Sequence, residues 1–131
     1  MLDRDPRRGT GTRGFGFPRR RRLRRGSEIR ALLNSGRRVR GGSLEVITAP
    51  RESGEARFGT IVPLYGGTAA RRNLMKRRLR EVGRQEVLPR LDRAHKGVDF
   101  LVRIRPGAYR LSFGSLRGTL IRITEQLCSD Q

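Results

Sequence analysis

The sequence predicts an α+β fold, a small two-layer sandwich with its elements in the order α-β-β-α-β-α. Three patterns carry that expectation. Apolar residues recur at helical spacing in some stretches, alternate with period two in others, and Gly, Pro and Ser punctuate the boundaries between them. The 131 residues fit one domain around one hydrophobic core, and no internal repeat appears.

Residues 1–21 hold many Gly, Arg and Pro and few apolar side chains, so they bury too little surface to offset the entropy of ordering. They are expected to form a disordered basic arm that contacts polyanions without specificity. Phe15 and Phe17 have no periodic context and suit either packing on a sheet or stacking on a base. A domain is expected over residues 22–127, followed by a tail at 128–131. Its first element is a short amphipathic helix over Ser27–Asn34. There Ile29, Leu32 and Leu33 fall at i, i+3 and i+4, Ser27 can cap and Gly36 can stop. Ser43–Thr48 and Arg57–Leu64 read as two β-rich strands that pair as a hairpin across a turn at Pro50–Ala56.

Thr68 suits the N-cap of a helix beginning at Ala69. At about 100° per residue, Ala70, Leu74, Met75, Leu79 and Val82 spread over one side, while Arg72, Asn73, Lys76, Arg77, Arg80 and Arg84 fill the opposite arc. Arg71 and Arg78 fall at the edge of the apolar side, their stems laid along it. One face suits a core and the other an anion. Gly83 is expected to weaken this helix and Pro89 to end it. Val98–Ile104 alternates as a strand closed by Arg105-Pro106-Gly107. Ser112 can cap a last helix carrying Phe113, Leu116, Leu120 and Ile123, and the helices are expected on one face of the sheet.

Thirty-one basic residues stand against 12 acidic ones, a net charge of +19, and all the basic residues but Lys76 and Lys96 are arginine. The first 40 residues alone hold 14 basic and 3 acidic side chains. Such an excess repels itself in a compact fold unless a polyanion neutralises it, which points to nucleic acid or an anionic surface. No apolar run is long enough to span a bilayer, and the N-terminus lacks an apolar signal stretch, so a cytoplasmic protein without a membrane partner is expected. The single cysteine, Cys128, fits a reducing compartment. The single histidine, His95, sits in a polar loop, so nucleophile-plus-base catalysis lacks its parts. The scattered carboxylates form no evident Mg²⁺ cluster.

The run Gly67-Thr68-Ala69-Ala70-Arg71-Arg72-Asn73-Leu74-Met75-Lys76-Arg77-Arg78-Leu79-Arg80-Glu81 resembles the signature of the protein subunit of bacterial ribonuclease P, G-N-A-V-x-R-N-R-x-K-R-x-x-R-E. Gly67, Ala69, Arg72, Asn73, Lys76, Arg77, Arg80 and Glu81 match in register. Phe17-Pro18, Arg22-Leu23-Arg24 and Ser35-Gly36-Arg37 resemble the family's start. Asp99 to Leu116 resembles its end.

The resemblance implies a protein cofactor of a catalytic RNA, one protein per RNA, that assists removal of the 5′ leader from precursor tRNA. The catalytic RNA and the substrate would hold the Mg²⁺, with none bound by the protein alone. Arg71, Arg72, Asn73, Lys76, Arg77, Arg80 and Arg84 would bind RNA, and Phe17, Arg22, Ile29 and Leu33 the leader, although Ile29 and Leu33 suit the core equally well. A left-handed β-α-β crossover around the signature helix is implied too. Three departures stand out: Leu74 replaces the signature's second arginine, Thr68 its asparagine, and Pro63-Leu64-Tyr65 a usual Ser-Lys-Lys. The rival readings are a structural RNA-binding protein of ribosomal type, with no part in cleavage, and a lipid-associating module. The arm's lack of an apolar face argues against the second.

Overall fold

The structure, a computed structural model, describes residues 17–52 and 54–130. Residues 1–16, most of the expected arm, lie outside the described residues. Four helices and four strands follow one another as α1 (Gly26–Ser35), β1 (Arg37–Gly41), β2 (Leu44–Pro50), β3 (Arg57–Ile61), α2 (Ala69–Val82), α3 (Leu88–Arg93), β4 (Val98–Ile104) and α4 (Phe113–Ser129). A π-helical segment at Gly83–Val87 joins α2 to α3, and short 3₁₀ turns occupy Arg19–Arg21 and Pro106–Arg110.

The strands form one sheet in the order β1-β2-β4-β3. β4 carries buried Val98, Phe100, Leu101, Val102 and Ile104, apolar on both faces, and so takes a central place with a partner on each side. It pairs antiparallel with β2 and parallel with β3. The expected hairpin between Ser43–Thr48 and Arg57–Leu64 is therefore not formed, because β4 lies between them. The hairpin is instead β1–β2, turning at Gly42-Ser43. β1 escaped the sequence reading because Arg37-Arg38-Val39-Arg40-Gly41 has one large apolar residue, which is all an edge strand with one covered face needs. The parallel β3–β4 connection through α2 is the β-α-β unit that the resemblance implies.

The expected α+β class is observed, with one four-stranded sheet and packed helices; the helices, expected on one face, cover both. On one side Leu44, Val46, Phe58, Phe100, Val102 and Ile104 join Met75, Leu79 and Val82 of α2, Leu91 of α3, and Leu116, Leu120 and Ile123 of α4. On the other, Ile47 and Leu101 are buried with Leu32 of α1 and Leu23. These two sheet residues fall out of phase with the main core pattern, and α1 is the element left to cover them.

Nor does the long helical stretch stop at Gly83 and Pro89. Leu88 N–H reaches back five residues to the Gly83 carbonyl, and the wider winding lets Pro89 sit in the first turn of α3. A proline carried deep into regular α-helix would clash with the carbonyl four residues earlier. Gly83 is buried against Phe58: a Cβ there would lie 2.5 Å from two ring carbons. α4 continues to Ser129, beyond the expected boundary at 127.

Candidate nucleic-acid interface

The interface begins with a strap. Residues 17–23 run beside β3, the edge strand, where Arg22 bridges to Phe58 and Leu23 N–H donates to the Phe58 carbonyl at 2.9 Å. Gly59 permits the approach, since a Cβ there would meet the Leu23 carbonyl at 2.5 Å. Phe17 sits 6.2 Å from the Phe58 ring, which stacks in turn on Phe100 at 5.9 Å. Arg21 donates to the Ala56 carbonyl at 3.0 Å and makes a two-pronged bond to Asp92 at 2.7 and 3.0 Å. The expected disordered arm thus gives way by residue 17 to chain packed on the fold. Covering the exposed edge of β3 is the physical reason.

α2 faces this strap. Met75, Leu79 and Val82 lie inward, while Asn73, Arg77 and Arg80 are exposed and Lys76 is half-buried. The helix starts where expected, with Thr68 Oγ1 accepting from Arg71 N–H at 3.1 Å. Arg72 is partly core-facing: its Nε donates to the Val62 carbonyl at 2.6 Å and anchors the loop before the helix. Arg71 lies over the Tyr109 ring, 5.0 Å from its centroid. Arg84, in the π segment, bonds Glu81 at 2.7 and 3.2 Å. Leu74, expected in the apolar arc, is 38% exposed, and Ala70 before it is exposed too. The apolar arc of α2 is narrower than the sequence suggested, since only Met75, Leu79 and Val82, about one residue per turn, are buried.

Between strap, β3 and α2 a cleft of about 150 Å³ opens, lined by Phe17, Arg22, Leu23, Arg24, Phe58, Gly59, Thr60 and Arg80. Three arginines enter it and no carboxylate. Arg22 lies over the Phe17 ring at 5.2 Å and donates to the Phe17 carbonyl at 2.9 Å. Partial burial and the charges of Arg80, Arg19 and Arg24 hold its guanidinium below the ordinary arginine pKa. It stays a cation at any physiological pH, and an anion in the cleft would relieve the repulsion among these guanidiniums. A second basin shares Arg22 and Arg24 and adds Arg19, Arg20, Arg25, Glu28 and Arg57, so positive surface continues from α2 around the strap.

No carboxylate lines the cleft itself, and several carboxylates of the fold are paired with arginines outside it. Asp99 and Glu28 hold Arg57, Glu45 holds Arg103 and Arg38, and Glu86 holds Arg90 and Arg117. Burial alone would raise the Glu45 and Glu86 carboxyls, but the hydrogen bonds and charges of these arginines outweigh it and hold both below their ordinary value. Among the described residues Arg22, Arg24, Lys76, Arg77 and Arg80 make no ion pair with a carboxylate, and no three His, Cys, Asp or Glu side chains converge as a metal site. No described helix is long and apolar enough to cross a membrane.

Of the expected leader-binding residues, the structure brings Phe17 and Arg22 together with Arg80. Ile29 and Leu33 lie apart from this cleft, half-buried against the cluster of Leu23, Leu32, Ile47 and Leu101 on the other face of the sheet. Arg24, which also enters the cleft, is not among the expected site residues. Its signal was the alternation Arg22-Leu23-Arg24, in which buried Leu23 places both neighbours on the opposite side.

The sequence model described as Ribonuclease P matches residues 17–128. The ribonuclease P protein component of Acidothermus cellulolyticus is 35% identical over 115 residues, covering 85% of this chain and 91% of the relative. That of Chloroflexus aggregans is 34% identical over 108 residues, covering 82% and 77%. In fold the chain is similar to the ribonuclease P proteins of Staphylococcus aureus (TM-score 0.67, 21% identity, 83% of this chain and 95% of that one) and Thermotoga maritima (TM-score 0.65, 24% identity, 80% and 96%). A signature helix with its cations turned outward, on a fold shared with these proteins and with a match running through nearly all of the described chain, leads to one assignment: this chain belongs to the ribonuclease P family, as a protein component.

Proposed function

We propose that the protein holds RNA for a reaction that the RNA performs. α2 docks on the catalytic RNA of ribonuclease P, and the strap cleft and its basic surroundings take the 5′ leader of precursor tRNA, favouring leader removal to give the mature tRNA 5′ end. The observation that carries this reading is the cleft into which Arg80 of α2 and Arg22 and Arg24 of the strap all enter, with no carboxylate among its lining residues. Each such side chain can neutralise a phosphate and release its counterion. Mg²⁺ supplies the Lewis acid and the activated water for phosphodiester hydrolysis. Among the described residues no three His, Cys, Asp or Glu side chains converge, and this reading assigns the ion to the RNA and substrate. One protein per RNA, in the cytoplasm, completes the proposal.

Single-turnover cleavage of a 5′-extended precursor tRNA by the cognate catalytic RNA tests it. At low Mg²⁺ the protein should raise the rate, and protein freed of RNA should cleave nothing. A protein that binds the RNA stably yet leaves cleavage unchanged would instead be a structural RNA-binding protein.

A further inference from the structure

The loop in front of α2 is where this chain departs most from the family signature, with Pro63-Leu64-Tyr65 in place of Ser-Lys-Lys. Its conformation is tightly specified. Arg72 Nε donates to the Val62 carbonyl at 2.6 Å, Tyr109 Oη to the Pro63 carbonyl at 2.7 Å, and Tyr65 Oη to the Ile104 carbonyl at 2.9 Å. Gly67 N–H closes the turn onto the Leu64 carbonyl at 2.9 Å. Tyr65 itself holds φ at 51°, in the left-handed region that bulky residues rarely adopt. Yet the residue so constrained is 47% exposed, beside a 44% exposed Leu64. Core packing does not account for a strained aromatic fixed at its hydroxyl end with so much of it in solvent. Strain of this kind persists where the surroundings impose it, and it gathers at binding sites.

The electrostatic setting selects the partner. From Ala56 to Arg80 and from Phe100 to Thr124, the two stretches that meet at this loop, there is no Asp or Glu. Arg71 is held over the Tyr109 ring whose hydroxyl anchors the loop, and Arg105 follows the residue whose carbonyl anchors Tyr65. We propose that Tyr65 is a stacking platform for an unpaired nucleobase of RNA, with Arg71 and Arg105 placed for the flanking phosphates. An aromatic face accepts any base and adds affinity that the lysines it replaces could supply only as charge. The proposal rests on the reading of the chain as an RNA-binding protein and adds a contact specific to this sequence.

The test compares binding of the full-length protein to a single-stranded oligoadenylate and to an abasic ribose-phosphate oligomer of the same length. Tyr65→Ala should weaken oligoadenylate binding roughly five- to hundredfold, the range for loss of one stacked base. It should leave abasic binding unchanged, and Tyr65→Phe, which keeps the ring and loses only the hydroxyl anchor, should bind oligoadenylate more tightly than Tyr65→Ala. The chain contains no tryptophan, so Tyr65→Trp supplies a single reporter whose fluorescence oligoadenylate should quench and the abasic oligomer should not. This reporter carries the test if the alanine variant folds poorly. Equal oligoadenylate binding by Tyr65→Ala and the parent, or an unquenched tryptophan, overturns the platform. So does a tryptophan signal that changes only as the protein is concentrated, which marks a contact between copies. If the platform fails while the protein still raises precursor cleavage, the RNA-binding role stands; a parent that binds neither oligomer nor the catalytic RNA removes both.

Discussion

Leu74 shows at the scale of one residue how a helical wheel can mislead. Five apolar side chains of α2 share a broad arc, but burial stops at Met75, Leu79 and Val82, and Leu74 stands outside on the surface. Restoring the signature's arginine there is therefore compatible with the fold. Leu74→Arg should change stability by no more than a surface substitution does, about 0.5 kcal/mol, and tighten binding to the catalytic RNA. Thermal melts and a filter-binding titration check this, and marked unfolding would place position 74 in the core after all. Arg72 carries the opposite lesson. Sequence puts it squarely on the anion face, yet its Nε belongs to the Val62 carbonyl, a backbone contact that no spacing rule reveals.

Elements were legible where periodicity was strong. α1, α2, β2, β4 and α4 stand close to their expected spans, and Thr68 and Ser112 cap as expected, Ser112 Oγ accepting from Ser115 N–H at 3.1 Å. β1 and the strap were missed because their order comes from neighbours: one edge strand completes β2, and the strap completes β3. The β2–β3 pairing was misjudged because adjacency in sequence favours hairpins, whereas the apolar character of β4 on both faces decided the order. The π segment reflects a demand shared by Pro89 and Phe58. Alanine in place of Gly83 would ordinarily favour a helix by up to about 1 kcal/mol. Here its Cβ meets the Phe58 ring at 2.5 Å, and that ring is wedged between Phe17 and Phe100. Overpacking wins, so Gly83→Ala should lower stability by about 1–3 kcal/mol in urea unfolding.

Across the whole molecule the charges divide into two populations. Carboxylates hold some arginines in the scaffold, while Lys76, Arg77 and Arg80 of α2, with Arg22 and Arg24, have no carboxylate partner among the described residues and are the ones proposed to meet a polyanion. The first population sets the acid response. Glu45 and Glu86 titrate below their unfolded value, so their contribution is present above the ordinary carboxylate range and lost as pH falls through their lower folded values. Melting temperatures followed downward from pH 6 should fall in that acid window, and Glu45→Gln should show a shallower fall than the parent. The second population was legible in composition and in the signature, but its division from the first was not, since partners far apart in sequence, such as Arg57 with Asp99 or Arg103 with Glu45, decide which cations remain. The salt dependence of binding to the catalytic RNA tests that division most directly. Replacing Arg77 and Arg80 together by alanine should lower the slope of log K against log salt by roughly one counterion per residue. Arg117→Ala, which removes a partner of Glu86 instead, should leave the slope at the parent value. An equal loss of slope in Arg117→Ala, or an unchanged slope in the Arg77→Ala/Arg80→Ala protein, would contradict the account.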